Sequence, residues 1–286
     1  MFSVVVPCFN EVNAVEQTIQ TLARDLPEDQ PYELIFVNDG STDGTAEKLD
    51  AAAEKHACLR VLHHKQNAGY GAALKTGIRK SRTELIVITD ADGTYPNDRI
   101  GEMVKLAENA DMVVGARIAD NVEYPLIRKI PKYFLIRYAS WIAGVRIPDM
   151  NSGLRVMHKP VLLKFLNILP SGFSFTTTIT LAMLTNYYDV RYVPISYKAR
   201  IGQSKIKPIR DTLNFVQLIL RTGMYFAPLR VFFPIGVLLG FACILSGIYD
   251  VFVLKNLTDK TLIFLLFAMN TAMFALLADM IDKRSG

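Results

Sequence analysis

Two aspartates, Asp90 and Asp92, follow directly on the apolar run Leu85-Ile86-Val87-Ile88-Thr89. Side chains alternate along a strand, so carboxylates at this spacing share one face at the strand's carboxyl end. Hard oxygen ligands so placed suit Mg2+ or Mn2+, which keeps several waters and takes its other ligands from substrate phosphates. A nucleotide diphosphate is the natural guest of such a pair. The competing reading is a surface turn, because Asp92-Gly93-Thr94-Tyr95-Pro96 is built of ordinary turn residues.

A second polar cluster, Asn38-Asp39-Gly40-Ser41-Thr42-Asp43-Gly44-Thr45, reads as strand, sharp turn and helix start. Gly40 and Gly44 permit tight backbone, Thr42 or Asp43 can cap the helix, and Asp39 emerges where a base or ribose could be held. Gly69-Tyr70-Gly71-Ala72-Ala73-Leu74 is a weak match to the dinucleotide fingerprint, with Leu74 at its last small position and the third strand-helix junction as its context. That argues against a nicotinamide or flavin cofactor. No phosphate loop ending in Gly-Lys-Ser or Gly-Lys-Thr occurs.

The elements that must position these residues alternate. Phe2 to Val6, Leu34 to Val37, Leu59 to Leu62, Leu85 to Thr89 and Met112 to Val114 are short, mostly β-branched or apolar runs; Ala14 to Leu26, Thr45 to His56 and Gly71 to Lys80 have helical patterning. This order predicts a mostly parallel sheet with helices on both faces, whose ligands sit beyond the carboxyl ends of the strands. Asn10 and Glu11, Asp39, and Asp90 with Asp92 all fall there.

The pattern changes past Lys129. Ile130 to Val145, with the only tryptophan, Trp141, and Ile209 to Phe226 are candidates for helices in a membrane interface. Val231 to Tyr249 and Thr261 to Ala278 carry no charge and are long enough to cross a hydrocarbon core. The expected organisation is therefore a catalytic unit over 1–208, with an interfacial helix near 130–145, then a juxtamembrane amphipathic helix over 209–229. A two-helix hairpin over 230–286, with spans at about 231–254 and 261–280, completes it. Arg221, Arg230, Lys283 and Arg284 outside the hairpin outnumber Lys255 and Lys260 in its loop, and no secretory leader opens the sequence, so both termini are expected in the cytoplasm. The formal net charge of +5, concentrated at Lys198, Arg200, Lys205, Lys207 and Arg210, fits anionic lipid rather than nucleic acid, for which no motif is present. Cys8, Cys58 and Cys243 are too few and scattered for a disulfide framework or zinc site and read as core residues.

Taken together, Pro7-Cys8-Phe9-Asn10-Glu11, Asn38 to Asp43, Asp90-Ala91-Asp92-Gly93 and Gly115-Ala116-Arg117 resemble glycosyltransferase family 2, with its GT-A (Rossmann-like) fold. Asp149-Met150-Asn151-Ser152-Gly153-Leu154-Arg155 and Arg200-Ile201-Gly202-Gln203-Ser204-Lys205 resemble the branch that glycosylates polyprenyl phosphates, the dolichol-phosphate mannose synthase-like enzymes. The resemblance implies that Pro7, Phe9, Glu11, Asp39, Asp90 and Ala91 hold the donor nucleotide, and that Asp90 and Asp92 bind the metal. It implies that Arg117, Arg128, Arg200 and Lys205 face donor and acceptor phosphates, with Asp92, Arg117 and Asp149 at the chemistry. Two departures stand out: Phe9 where the branch often has tyrosine, and Thr94 where some members have a metal-binding glutamine.

The chemistry agrees with this. A lipid phosphate monoester, with its second pKa of about 6, is already a mostly dianionic nucleophile at neutral pH. It needs cations against charge repulsion and in-line placement rather than a strong base. The expected activity is inverting transfer of one hexose-type sugar from a nucleotide diphosphate sugar to undecaprenyl or dolichyl phosphate at the cytoplasmic membrane face, with Mg2+ or Mn2+. Self-association through the hairpin is also open to such a chain. Two alternatives differ in recognisable ways. A processive polysaccharide synthase would carry Gln-x-x-Arg-Trp, whereas Trp141 follows Ala139-Ser140; a non-catalytic nucleotide-binding scaffold would need neither paired carboxylates nor spaced cations.

Overall fold

The computed structural model describes residues 1–27, 29–118, 136–172, 174–197 and 208–285, with side chains from 216 onward in the last segment except at 218 and 282–285. Seven strands form one sheet in the order β3-β2-β1-β4-β6-β5-β7. They are β1 (Phe2–Cys8), β2 (Tyr32–Asn38), β3 (Leu59–His63), β4 (Leu85–Ile88), β5 (Met112–Ala116), β6 (Arg155–His158) and β7 (Val190–Pro194). The helices α1 (Val15–Asp25), α2 (Thr45–Lys55), α3 (Tyr70–Lys80) and α4 (Ile100–Ala107) connect the first five strands. Strand β1 runs parallel to β2 and β4, β2 to β3, and β5 to β7. Strand β6 alone is antiparallel, to both β4 and β5.

The five expected strands and three expected helices are present. Strands β6 and β7 are additions. Arg155-Val156-Met157-His158 is four residues long with polar ends, and β7 is an edge strand closing on Pro194, whose missing N–H is tolerated there.

Alternation along the strands builds two cores. Val4, Val6, Leu34, Phe36, Val87 and Val156 face one way, against Ile19 and Leu22 of α1, Leu49 of α2 and Met103 of α4. Val5, Ile35, Val37, Ile86, Ile88 and Met157 face the other, against Leu74 and Ile78 of α3 and against α6 (Lys159–Phe165) and α7 (Phe175–Thr185). Helix α3 lies so close to the sheet that a Cβ on Gly77 would collide with Val5 and come within 3.2 Å of Val37.

A third cluster ties the sheet unit to the carboxyl-terminal helices. Ala139, Ile142 and Ala143 of α5 (136–143) meet Leu181 of α7, Ile219 of α8 (Pro208–Phe226) and Val231 of α9 (Pro228–Tyr249). The Arg230 guanidinium donates to the Ile142 carbonyl at 2.6 Å. Helix α9 continues through a wider turn (Asp250–Leu254) to α10 (Asp259–Ser285). Two windows, in Pro228–Leu254 and Asp259–Ile281, are long and apolar enough to cross a membrane, and only 6% and 11% of them are buried. A soluble core helix hides its apolar surface; these display it, with Phe233, Leu238, Ile244, Leu266 and Met269 outward. Cys8 sits in the core, whereas Cys58 is partly buried and Cys243, partly exposed on α9, donates its thiol towards the Thr261 carbonyl rather than packing in a core.

Candidate active site

The site lies at the carboxyl ends of β1, β2 and β4 and at the end of β5, where the strands deliver four polar loops. Strand β4 stops at Ile88, so Asp90 and Asp92 ride on the following turn rather than on a strand face. The alternation argument therefore does not place them. Side-chain contacts do: the Tyr70 hydroxyl, at the start of α3, donates to Asp90 Oδ1 at 3.1 Å, and Thr94 donates to Asp92 Oδ1 from its N–H (3.2 Å) and hydroxyl (2.7 Å). Asp92 is buried, as is Ala91 between the two, whose carbonyl accepts from Thr18 of α1 at 2.8 Å. Asp90 also stands over the Gly153 backbone, where a Cβ would lie 2.9 Å from Oδ2. The Gly153 N–H donates to the Tyr95 hydroxyl at 2.6 Å, which pins that loop from the other side.

The charge of Asp90 reaches its buried neighbours. Burial raises the Cys8 thiol, and Glu11 and Asp90 push it further. Burial likewise raises Tyr70 and Tyr95, and Asp90 is the next cause for both. Three neighbouring groups thus feel the Asp90 charge, and an added cation would relieve that potential. Two carboxylates held by hydroxyl groups, with hard oxygen donors and partial exposure at Asp90, fit a divalent ion that retains water and binds diphosphate.

Arg117 follows β5 and pairs with Asp149. Nε and Nη2 donate to the two carboxylate oxygens at 2.7 and 2.9 Å, and the Arg117 N–H adds a third bond at 3.1 Å. The guanidinium carbon lies 5.3 Å from the centre of the Tyr197 ring. Burial alone would raise the Asp149 pKa, but Arg117 and the amides of Arg117 and Asn151 hold it below the ordinary carboxylate value. Asp149 therefore orients Arg117, and a planar fork is fixed in one direction.

Asp39 is buried and faces the loop before α3. Its Oδ1 accepts from the Ala68 N–H at 2.9 Å and lies 2.6 Å from His64 Nδ1; its Oδ2 accepts from the Gly69 N–H at 2.8 Å. Gly40 makes this closure possible: at φ +70°, a Cβ there would lie 2.5 Å from the Gln66 carbonyl carbon. Pro7 is buried at the end of β1, and Phe9 and Glu11 are half-buried just beyond it. Asn10, with φ 56°, accepts from the Thr42 N–H at 2.8 Å and donates its own N–H to Ser41, while Glu11 and Val12 donate theirs to Thr45 and Asp43. Thus the first two loops form one rigid wall.

The structure brings together Pro7, Phe9, Glu11, Asp39, Asp90, Ala91, Asp92, Arg117 and Asp149 around these strand ends. Arg128, Arg200 and Lys205 lie outside the described residues. Sequence reasoning missed Tyr70, Tyr95, Gly153 and Tyr197 as site-builders, because their contacts cross the chain; Gly153 carried a signal, a glycine inside the 149–155 motif.

Residues 3–162 match glycosyl transferase family 2, and residues 227–283 match the GtrB C-terminal hairpin. The chain belongs to glycosyl transferase family 2. It is 30% identical, over 77% of this chain and 72% of the relative, to a dolichyl-phosphate beta-glucosyltransferase of Trichomonas vaginalis. It is 26% identical to an undecaprenyl-phosphate mannosyltransferase of Micrococcus luteus, covering 71% of this chain and 86% of the other. Among solved structures, glucosyl-3-phosphoglycerate synthase of Mycobacterium tuberculosis in complex with UDP superposes with TM-score 0.59 over 78% of this chain and 80% of that one, at 17% identity. The same enzyme has been solved with Mn2+ and UDP-glucose, covering 78% of this chain and 79% of that one at TM-score 0.59 and 17% identity. These structures share the GT-A fold, and the family gives this chain glycosyltransferase activity. The matched hairpin and its two exposed apolar helices make it a membrane-associated member.

Proposed function

We propose that this glycosyltransferase moves one hexose-type sugar, with inversion, from a nucleotide diphosphate sugar to a polyprenyl phosphate at the cytoplasmic membrane face. The observation that carries the reading is the electronegative turn of Asp90 and Asp92 beside the oriented Arg117 fork, in a chain that ends in an apolar hairpin. Relatives named for dolichyl and undecaprenyl phosphate support the acceptor class. UDP and Mn2+ in fold neighbours support the donor class and a divalent ion.

Asp90 and Asp92 would hold Mg2+ or Mn2+, which supplies neutralising charge for the leaving nucleoside diphosphate. Pro7, Phe9, Glu11, Asp39 and Ala91 form the wall for the nucleoside. Arg117, kept in one orientation by Asp149, offsets phosphate charge at the reacting centre. Arg128, Arg200 and Lys205 are the further cations assigned to the acceptor phosphate and diphosphate. A lipid phosphate oxygen forms the new bond to the anomeric carbon as the bond to the diphosphate breaks, and the electron pair departs with the nucleotide. In-line attack inverts that carbon. No side chain has to remove a proton from a dianionic nucleophile.

The test is transfer of radiolabelled sugar to added polyprenyl phosphate by the full chain in detergent. Labelled lipid should form, and Asp92→Ala should abolish it while leaving the melting temperature near the parent's. Undiminished turnover in excess chelator, or full turnover by Asp92→Ala, would remove the metal assignment.

A further inference from the structure

A basic cleft of about 620 Å3 opens beside α3, and none of Asp90, Asp92, Arg117 or Asp149 lines it. Its walls are the His63-to-Ala68 loop, the outer face of α3 with Lys75 and Arg79, and Asn167 and Ser171 after α6. No aspartate or glutamate lines it. His63 and His64 lean on Asp50 and Asp39, but among the described residues no carboxylate pairs with Lys65, Lys75 or Arg79. Lys75 and Arg79 are one helical turn apart on the same face of α3, a repulsive arrangement. Their partners are neutral: Lys75 Nζ donates to the Leu169 carbonyl, and Arg79 reaches Asn167 Oδ1 at 3.5 Å. Burial, and then Arg79, lower the Lys75 pKa, as expected of neighbouring cations with no counter-ion.

Asn167 of the cleft wall follows directly on α6, which touches the helix leading into the apolar hairpin. Phe165, at the end of α6, packs its ring 6.0 Å from that of Phe226, two residues before α9 begins. Leu163 and Ile168 are exposed on this stretch.

We propose that this cleft, which shares the His64-to-Ala68 loop with the Asp39 wall but holds none of the Asp90, Asp92 and Arg117 cluster, is a second anion site that takes a phosphate group on Lys65, Lys75 and Arg79. The guanidinium of Arg79 can form fork-like bonds to phosphate oxygens, and the two ammonium groups add point charge. Two sources share that chemistry: the headgroup of an anionic phospholipid at the bilayer surface, and phosphate free in solution. The inference goes beyond the transfer reaction and stands if the acceptor assignment fails, because its test reads binding rather than turnover.

Two binding measurements on the full chain in detergent test it. One is equilibrium dialysis with radiolabelled orthophosphate; the other is native mass spectrometry of phosphatidylglycerol retained from micelles that also contain phosphatidylcholine. The wild type should show a saturable component in at least one arm, and Lys75→Gln/Arg79→Gln should weaken it by about tenfold or more. The variant's melting temperature and sugar transfer should stay near wild type. Loss in the lipid arm alone identifies a headgroup; loss in the phosphate arm alone identifies a soluble anion. Should Lys75→Gln lower the melting temperature by freeing the Leu169 loop, Arg79→Gln with Lys65→Gln gives the same reading without touching that bond. Absence of saturable binding in both arms, or binding equal in variants and parent, overturns the proposal.

Discussion

Arg117 could act as a loose cation or as an aimed one, and Asp149 decides between them. Two carboxylate oxygens accept Nε and Nη2 in a fork, and the pair is mostly buried, with side-chain exposures of 19% and 10%. Asp149→Asn keeps the volume and loses the charge, leaving Arg117 without its counter-ion. The expected cost is about 2 kcal/mol, less than a fully buried pair because part of the guanidinium remains solvated. Transfer should fall by about tenfold or more as Arg117 loses its direction. Denaturant unfolding and turnover measured together check this; unchanged turnover would separate Arg117's orientation from the chemistry. The sequence singles out both Asp149 and Arg117, but not that they pair, since the two are joined only by the arrangement of β5 and the loop before β6. The Tyr70 contact to Asp90 was hidden likewise, at the start of a helix that looks like an ordinary connector.

Elements explain which parts of the fold could be read directly. Strands β1, β2, β4 and β5 announce themselves because their buried centres are mostly apolar runs, and α1 to α3 because each shows one apolar face; the edge strand β3, half-buried and carrying Arg60, is a weaker signal. Strand β6 gives no such signal. It carries Arg155, fully buried, whose guanidinium is satisfied by the carbonyls of Ser152 and Met150 and the hydroxyl of Thr180. The sequence shows Arg155 only as the end of the 149–155 motif; buried, it fixes the 149–154 loop under Asp90. Gly153 is where this loop meets the acidic turn. Gly153→Ala would set a methyl 2.9 to 3.1 Å from the Asp90 carboxylate, so Asp90 must move. Weakened Mn2+ binding, by about tenfold, with an intact fold is expected, measured by electron paramagnetic resonance titration of free Mn2+. Unaltered affinity would mean that Asp90 does not contribute to the ion site.

At the scale of the whole molecule, three carboxylates in different regions respond to acid in the same direction. Glu33, Asp43 and Asp149 each have burial as an opposing influence, overcome by hydrogen bonds and, for Glu33 and Asp149, by an arginine, so all three are held below their ordinary pKa values. A carboxylate depressed in the folded state contributes stability above its unfolded pKa and loses it as pH falls through the folded value. The melting temperature should therefore be flat near neutrality and drop below pH about 4. Asp149→Asn should flatten part of that drop; a profile identical to the parent's would remove Asp149 from the linkage.

The hairpin is held to the rest of the molecule at one end and closed at the other. Arg230 near the start of α9 is tied to the Ile142 carbonyl, so the first apolar helix leaves the sheet unit at a fixed point. At the far end, Asp250 accepts from the Thr258 N–H at 2.8 Å and from the hydroxyls of Thr258 and Thr261 at 2.6 and 2.7 Å, closing the turn into α10. Both apolar helices therefore run between a sheet-side end and a closed tip, and if the hairpin crosses a membrane as proposed, it returns the chain to the side on which it started. The proposed cytoplasmic placement of the sheet unit then predicts a tip on the opposite face. A cysteine at Asn256, in a background freed of Cys8, Cys58 and Cys243, should react with an impermeant maleimide added outside intact cells. One at Asp98 should react only after the cells are opened. Labelling of the Asp98 position from outside would invert the proposed topology, and labelling of neither until opening would place the hairpin on the membrane surface rather than across it.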